Sequence, residues 1–216
     1  MAWKTILFDM DGTLSNTEEG VTRCVQYALE SFGIHEPDRT VLRRFIGPPL
    51  HDSFTKYYGM SEEDAWAALL KYRERYDPIG VFECELYEGV EEALRRLKEA
   101  GYYIGLASSK PETMCRRILE HFGLISYFDE VVGATLDKSI CSKVQVLREW
   151  LRRSGAEPGQ AVLVGDTRFD ALGAAEAGIA CIGVTYGFGT REELEQGGAI
   201  AVFDSMKEVA DYIEGQ

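Results

Sequence analysis

The fold is decided by the stretch Thr5-Ile6-Leu7-Phe8-Asp9-Met10-Asp11-Gly12-Thr13, in which a short apolar run leads directly into two carboxylates. The run is bounded by polar residues and predicts a buried strand. In an extended segment residues two apart point to the same side, so Asp9 and Asp11 are predicted to share a face at the carboxyl end of that strand. Open α/β sheets bind ligands at this end. Taken alone, the stretch from Asp9 to Thr13 also fits an ordinary strand-to-helix turn.

Further apolar runs along the chain predict a parallel sheet. Four of them have similar lengths and boundaries: Tyr103–Ala107, Glu130–Gly133, Ala161–Val164 and Ala180–Val184. Helical patterns are predicted between or after these runs, at Gly89–Ala100, Glu112–Phe122, Lys143–Ser154, Ala171–Gly178 and Ser205–Ile213. Because strands and helices alternate, the sequence predicts an α/β fold with a Rossmann-like parallel sheet.

One interval interrupts the alternation of strands and helices. Residues 15–84 show helical patterns and no clear strand, with Ser15 and Asn16 as candidate N-caps and Glu18 or Glu19 in position to complete a capping box. Helices are predicted at Glu18–Phe32, Thr40–Phe45, Leu50–Tyr58 and Glu62–Tyr76. We therefore expect residues 1–14 and 85–216 to form the core and residues 15–84 to form an inserted α-helical domain.

Composition narrows the range of partners. The formal net charge is −13, and a field of that sign repels polyanions, so nucleic acid is not expected as a partner. The N-terminal apolar run is too short for a signal peptide, and no segment approaches the roughly 18 apolar residues that span a bilayer. The five cysteines are scattered and predict neither a disulfide framework nor a zinc site. We expect a cytoplasmic monomer or homodimer that does not bind membranes.

A second acidic cluster follows the run Ala161–Val164. Asp166 and Asp170 lie in Val164-Gly165-Asp166-Thr167-Arg168-Phe169-Asp170, again between a predicted strand and a helix. If the two strands are neighbours, Asp166 meets Asp9 and Asp11 at the same edge of the sheet. Adjacent carboxylates repel unless a cation offsets them, and Mg²⁺ takes oxygen ligands of this kind. Asp170 is a metal candidate too, although it also suits a helix N-terminus.

Two further segments could bind an anion such as a phosphoryl group. Ser108-Ser109-Lys110-Pro111 follows a predicted strand and opens a helix, so a hydroxyl and helix-terminal amides are available there. Lys143 begins another helix and could supply a fixed positive charge, with Lys138 as a competing candidate in the same loop. Each signal is weak alone, since capping residues and surface lysines have the same appearance.

Taken in order, these four sites resemble the motifs of the haloacid dehalogenase superfamily, and the resemblance covers nearly the whole chain. The motifs are Asp9-x-Asp11-Gly12-Thr13, then Ser108, then Lys143, then Gly165-Asp166-x-x-x-Asp170. The inserted helical segment resembles the small helical cap of that superfamily. Three stretches are similar to the phosphoglycolate phosphatase group: Phe45-Ile46-Gly47-Pro48-Pro49-Leu50, Ser108-Ser109-Lys110-Pro111 and Val184-Thr185-Tyr186-Gly187-Phe188-Gly189.

The resemblance implies a phosphatase that acts on a small phosphomonoester, such as phosphoglycolate or a nucleotide, through an aspartyl-phosphate. In it Asp9 is the nucleophile and Asp11 the general acid and base. Mg²⁺ is held by the Asp9 carboxylate, the Asp11 carbonyl and Asp166, with support from Asp170. The phosphoryl oxygens are bound by Ser108, the Ser109 amide and Lys143, with Thr13 positioning the turn.

Other functions are compatible with the same scaffold. A β-phosphoglucomutase-like enzyme would return the phosphoryl group to a sugar, and a pyrophosphatase would cleave a different leaving group. A dehalogenase is disfavoured by Asp11, because displacing a halide needs no acid at that position. A receiver-like switch also combines acidic residues with Mg²⁺ and a lysine, but it lacks an inserted helical segment. We expect Arg44 or Arg43, near the Gly47-Pro48-Pro49 loop, to contact the substrate's leaving group.

Overall fold

In a computed structural model the described residues are 3–137 and 139–216. Lys138, the alternative cation of the sequence analysis, lies outside them. The chain divides into two compact units. The first combines the N-terminal segment through Asn16 with Leu86–Gln216, and the second is Thr17–Glu85.

The first unit is built on a parallel sheet. The strands in the described residues are β1 (Thr5–Phe8), β2 (Ser15–Asn16), β3 (Glu85–Leu86), β4 (Tyr103–Pro111), β5 (Glu130–Ala134), β6 (Ala161–Gly165), β7 (Ala180–Val184) and β8 (Ala201–Phe203). Six of the described strands form one sheet in the order β5-β4-β1-β6-β7-β8, and every neighbouring pair is parallel. The predicted α/β class is therefore confirmed, and β1 lies in the middle of the sheet.

Helices connect the strands. In chain order they are α1 (Glu18–Glu30), α2 (Leu50–Tyr58), α3 (Glu62–Tyr76), α4 (Val90–Glu99), α5 (Glu112–His121), α6 (Lys143–Ser154), α7 (Arg168–Ala177), α8 (Arg191–Gln196) and α9 (Met206–Glu214). Helices α6 and α7 pack on the sheet through one apolar cluster that includes Leu7, Leu163 and the fully buried Trp150. This burial holds the N-terminal ends of α6 and α7 beside the central strands.

The second unit is helical. It contains α1, α2 and α3, together with the 3₁₀ segments Arg39–Phe45 and Gly80–Phe82. Helix α2 ends at Gly59 in a left-handed conformation, and α3 begins at Ser61, whose hydroxyl accepts the backbone N–H of Asp64. Its core includes Phe45 and Phe54, whose rings meet edge to face with centroids 5.0 Å apart.

Some predicted boundaries are wrong. Ser15 and Asn16 do not cap α1; they form β2, and Thr17 precedes the helix. The cause is a tight reversal after Asp11, in which the backbone N–H groups of Leu14 and Ser15 both donate to the carbonyl of Met10. Strand β4 continues through Pro111, so Ser108 lies within a strand rather than at the start of a helix.

Several short elements near the C-terminus escaped the sequence patterns. Strand β8 and helix α8 are three and six residues long, below the length at which periodicity is informative. Helix α7 begins three residues earlier than predicted, because the Asp170 carboxylate accepts the N–H and hydroxyl of Thr167 and caps the first turn.

The five cysteines are free thiols. Within the described ranges, every helix is too short or too polar to cross a bilayer.

Candidate active site

The end of β1 lies level with residues of the two strands beside it. Phe8 at the end of β1 is in register with Leu106 of β4 and Val164 of β6. The backbone N–H of Asp9 donates to the carbonyl of Val164 across 3.0 Å and continues the ladder by one residue. The candidate residues that follow these strands are thereby brought to one edge of the sheet.

Lys143 forms ion pairs with one aspartate of the first acidic motif and one aspartate of the last. It is the first residue of α6, which begins at a capping box formed by Ser142 and Gln145. Its ammonium lies 2.7 Å from Asp9 Oδ1 and 2.8 Å from Asp170 Oδ1, and it donates to the carbonyl of Ala107. Only 7% of the residue is exposed, so the two carboxylates compensate a charge that would otherwise be costly to bury.

Asp166 is fully buried beside this group and is held through one oxygen. Its Oδ2 accepts the backbone N–H of Phe188 at 2.7 Å, whereas its Oδ1 has no hydrogen-bond partner in the described part of the chain. Gly12, with a φ of 83°, makes room for this carboxylate, because a Cβ at that position would overlap Asp166 Oδ2. A buried carboxylate oxygen without a donor is expected where a cation binds.

The acidic residues meet the geometric requirement for a metal site. Asp9, Asp166 and Asp170 are all buried, and one carboxylate oxygen from each lies within 4.8 Å of the others. Oxygen ligands of this kind suit Mg²⁺, which is commonly bound by one or two carboxylates. The unpartnered Oδ1 of Asp166 fits the same ion. The cluster could thus bind a divalent cation, although its donor set does not identify which one.

Burial acts on the pKa values of this cluster: it raises those of the carboxyl groups and, taken alone, lowers that of the lysine. It raises the pKa of Asp9 to about 6, although the charge of Lys143 acts to lower it. Burial also raises the pKa of Asp166, and the charges of Asp170 and Asp9 add to the effect. For Lys143 burial alone would lower the pKa, but Asp170 and Asp9 outweigh it and the pKa is raised. The lysine is therefore a permanent cation at the site.

Asp11 has a different partner, one that the sequence analysis did not single out. Its Oδ2 lies 2.8 Å from the ammonium of Lys110, and Lys110 is only 9% exposed. A signal was present in the sequence, since Lys110 lies two residues beyond Ser108 and so shares its side of an extended strand. The signal was lost because the strand was predicted to end at Ala107.

The remaining predicted phosphate contacts lie at the same edge of the sheet. Ser108 is 2% exposed, and its hydroxyl accepts the backbone N–H of Lys110 at 3.3 Å. Ser109 follows it in β4 and is partly exposed. Thr13 is fully buried, its carbonyl accepts the hydroxyl of Tyr186 at 2.9 Å, and its own hydroxyl has no partner among residues 3–137 and 139–216.

Arg44 belongs to the helical unit. Its guanidinium carbon lies 4.4 Å from the centre of the Tyr57 ring and 5.3 Å from that of Tyr58, so two aromatic faces hold the cation. The predicted contact between Arg44 and a substrate stays a prediction.

Comparison with known proteins identifies the family. The family model described as haloacid dehalogenase-like hydrolase matches residues 6–184, which include all four motifs. The chain belongs to this family. The match confirms the resemblance drawn from the motifs at Asp9, Ser108, Lys143 and Asp166.

Three relatives of this hydrolase illustrate the range of the family. It is 41% identical over 194 residues to a 5'-nucleotidase of Pseudomonas aeruginosa, a match that covers 90% of the chain and 88% of the relative. It is 34% identical to the tyrosine-protein kinase PtkA of Mycobacterium tuberculosis, over 88% of the chain and 65% of that protein. The crystal structure of a predicted phosphatase from Clostridium acetobutylicum superimposes with a TM-score of 0.96, at 39% identity and full coverage of both chains.

Proposed function

We propose that this hydrolase is a Mg²⁺-dependent phosphatase that cleaves a small-molecule phosphomonoester through an aspartyl-phosphate on Asp9. The observation that carries the proposal is the buried cluster of Asp9, Asp166 and Asp170, in which Lys143 bridges Asp9 and Asp170. Such a cluster combines a nucleophile, candidate metal ligands and a fixed cation at one strand end. The family and the named phosphatase relatives support hydrolysis of phosphoesters.

The proposed reaction consists of two displacements at phosphorus, with the Asp9 carboxylate as the nucleophile in the first and as the leaving group in the second. The Asp9 carboxylate attacks phosphorus, the bond to the leaving oxygen breaks, and Asp11 donates a proton to that oxygen. Asp11 then takes a proton from a water molecule as the water attacks phosphorus, which releases phosphate and restores the Asp9 carboxylate. A bound Mg²⁺ would neutralise phosphoryl charge, held by Asp9, the Asp11 carbonyl and Asp166, with Asp170 in support.

The phosphoryl group needs donors as well as a nucleophile. We assign this role to the hydroxyl of Ser108, the amide of Ser109 and the ammonium of Lys143, with Thr13 supporting the turn after Asp11. Lys143 already bonds Asp9, so its charge is directed at the carboxylate that would carry the phosphoryl group. Most of the rate acceleration would come from this positioning and charge neutralisation.

The substrate class is proposed on the strength of the relatives. The 41% identical relative is named a 5'-nucleotidase, which favours a nucleoside monophosphate; phosphoglycolate is the alternative from motif resemblance. A second relative is named a tyrosine-protein kinase, and the chain covers 65% of its length. A phosphomutase, which uses a sugar as the acceptor, and a pyrophosphatase, which has phosphate as the leaving group, are the alternatives, so the assay must identify both the acceptor and the leaving group.

A phosphoester panel tests the proposal. Purified protein is incubated with nucleoside monophosphates, phosphoglycolate, pyrophosphate and glucose 1-phosphate, with Mg²⁺ or with excess chelator, and inorganic phosphate is measured. We expect Mg²⁺-dependent phosphate release from at least one monoester. Formation of glucose 6-phosphate without free phosphate would indicate a mutase, and release that persists under full chelation would overturn the metal-dependent mechanism.

A further inference from the structure

Two buried lysines lie at the candidate active site, and each contacts a different member of the carboxylate pair. Lys143 bonds Asp9 and Asp170, whereas Lys110 bonds Asp11. Both lysine side chains are 6% exposed. The proposed function assigns a role to Lys143 but none to Lys110. A second buried ammonium is costly unless it is compensated, so its position calls for a reason.

The path of β4 delivers Lys110 to this place. The register between β4 and β5 shifts between Ser108 and Pro111, an irregularity of the kind that redirects side chains at the ends of strands. Within the shift, the backbone N–H of Lys110 donates to Ser108 Oγ and its carbonyl accepts the thiol of Cys115. Local hydrogen bonds therefore fix the backbone of Lys110, and its side chain reaches Asp11 from a rigid support.

The two oxygens of Asp11 are in unequal surroundings. Oδ2 is occupied by the ammonium of Lys110 at 2.8 Å, while Oδ1 is buried and lacks a hydrogen-bond partner in the described ranges. We infer that Lys110 is a positioning residue for Asp11: by holding Oδ2 it directs Oδ1 toward the leaving oxygen of the substrate. This inference rests on the proposed role of Asp11 as general acid.

A competing role for Lys110 is direct binding of the phosphoryl group. A lysine that binds phosphoryl oxygens affects every phosphomonoester alike, because the phosphoryl group is common to all of them. A lysine that positions the acid matters only when the leaving oxygen needs a proton. The dependence on the leaving group therefore separates the two roles, and a merely structural role would show no such dependence.

The test compares wild-type protein with Lys110→Met on three Mg²⁺-supported substrates: dinitrophenyl phosphate, phenyl phosphate and ethyl phosphate. The measured quantity is kcat/KM, which reports the first displacement. We expect a loss of about 100-fold for ethyl phosphate, on the scale of general acid catalysis, and less than about fivefold for dinitrophenyl phosphate, whose phenolate leaves unprotonated. Lys110→Arg should recover part of the loss. Lys98→Met, which removes a lysine from an exposed pair with Asp129, is the matched control and should lose nothing.

A double substitution keeps the test valid if Lys110→Met alone does not fold. In an Asp11→Asn background no unpaired carboxylate remains, and adding Lys110→Met should change kcat/KM for ethyl phosphate by less than about threefold, because residues that act through one another are not additive. An equal loss on all three substrates, or a further large loss in the Asp11→Asn background, would overturn the inference. Absence of wild-type turnover on every substrate would instead count against the proposed function.

Discussion

The two carboxylates at the end of β1 lie two residues apart but in different electrostatic surroundings. Asp9 lies in a dense group with Asp166, Asp170 and the ammonium of Lys143. Asp11 contacts Lys110 through one oxygen and leaves the other without a partner in the part of the chain that the structure describes. The first setting suits a carboxylate that shares a cation and attacks phosphorus. The second leaves one carboxylate oxygen without a partner in the described residues, and the proposed mechanism uses Asp11 for proton transfer.

The contrast shows how one short motif can carry two functions. Both residues are aspartates, so the difference arises from the lysine that each one contacts. Asp9 contacts Lys143 at the start of α6, and Asp11 contacts Lys110 near the end of β4. Neighbouring charges and burial decide whether a carboxylate binds a metal or moves a proton. Three predictions test whether the two settings are as distinct as their contacts indicate.

The largest expected effect comes from replacing each carboxylate in turn. Asp9→Asn removes the nucleophile and should lower kcat by at least about 10⁴-fold on every phosphoester, the scale on which loss of a nucleophile acts. Asp11→Asn should lower kcat by about 10²- to 10⁴-fold, because it removes only proton transfer. Steady-state kinetics and mass spectrometry of acid-quenched enzyme give both the rates and the phosphorylated aspartate.

Metal binding provides the control for this pair. Asp11→Asn should bind Mg²⁺ nearly as well as wild type in calorimetric titrations, since only its backbone carbonyl is assigned to the ion. Asp9→Asn should bind it more weakly. Equal losses of Mg²⁺ affinity in the two variants would show that the two settings are not distinct.

A smaller effect is expected from the loop containing Gly187 and Phe188, which contacts the candidate metal ligand Asp166. Phe188 donates its N–H to Asp166, and Gly187 beside it lies so close that a Cβ there would overlap Asp166 Oδ2 and the carbonyl of Gly12. Gly187 lacks a left-handed φ, so its importance is the close approach rather than backbone freedom. Partners that orient a ligand typically change metal affinity by about 10- to 100-fold when disturbed.

Gly187→Ala should therefore raise the Kd for Mg²⁺ by about 10- to 100-fold while leaving kcat at saturating Mg²⁺ within about threefold of wild type. The measurement is a Mg²⁺ titration followed by calorimetry and by activity. Gly159→Ala is the matched control, because a Cβ at Gly159 meets open space. An unchanged Kd in Gly187→Ala would mean that the loop does not orient Asp166.

The sequence predicted the fold well where the patterns were long or specific. Strands β1 and β7 and helices α2, α3 and α6 have the predicted bounds. Their limits carry local signals: Ser61 and Ser142 cap α3 and α6, and Gly59 and Gly155 end α2 and α6. The predicted grouping of Asp9 and Asp166 also follows from local pattern, since both lie just beyond buried strands that turned out to be neighbours.

The features of the site that were not predicted from the sequence depend on contacts between distant segments of the chain. Lys110 appeared as one residue of a serine-lysine-proline stretch, and only the irregular end of β4 brings its ammonium to Asp11. The N–H of Phe188 carries no side-chain signal, so its bond to Asp166 was invisible in the sequence. Asp170 was predicted to be a helix cap or a metal ligand; its Oδ2 caps α7 and its Oδ1 contacts Lys143, while the metal role stays a prediction.

The smallest expected effect is a pH dependence of Mg²⁺ binding and of stability that arises from Asp9. Burial raises the pKa of Asp9 to about 6, above its usual 3.8, so in the metal-free protein Asp9 favours stability at low pH, and this contribution is lost as pH rises through about 6. Mg²⁺ must displace that proton, so its apparent affinity should fall by about tenfold per pH unit below 6 and level off at higher pH. Because burial also raises the pKa of Asp166, its carboxylate offers a second proton for Mg²⁺ to displace.

Thermal unfolding between pH 5 and pH 8 (roughly one unit or more on either side of the expected midpoint) with and without Mg²⁺ measures this dependence. The stabilisation by Mg²⁺ should grow as pH rises through about 6. Asp11→Asn should keep nearly the same profile, because the charge of Asp11 is the smallest of the named influences on the pKa of Asp9, whereas Asp9→Asn should flatten it. A profile that flattens in Asp11→Asn would place the titrating proton on the Lys110 side, and the division between the two carboxylates would then have to be redrawn.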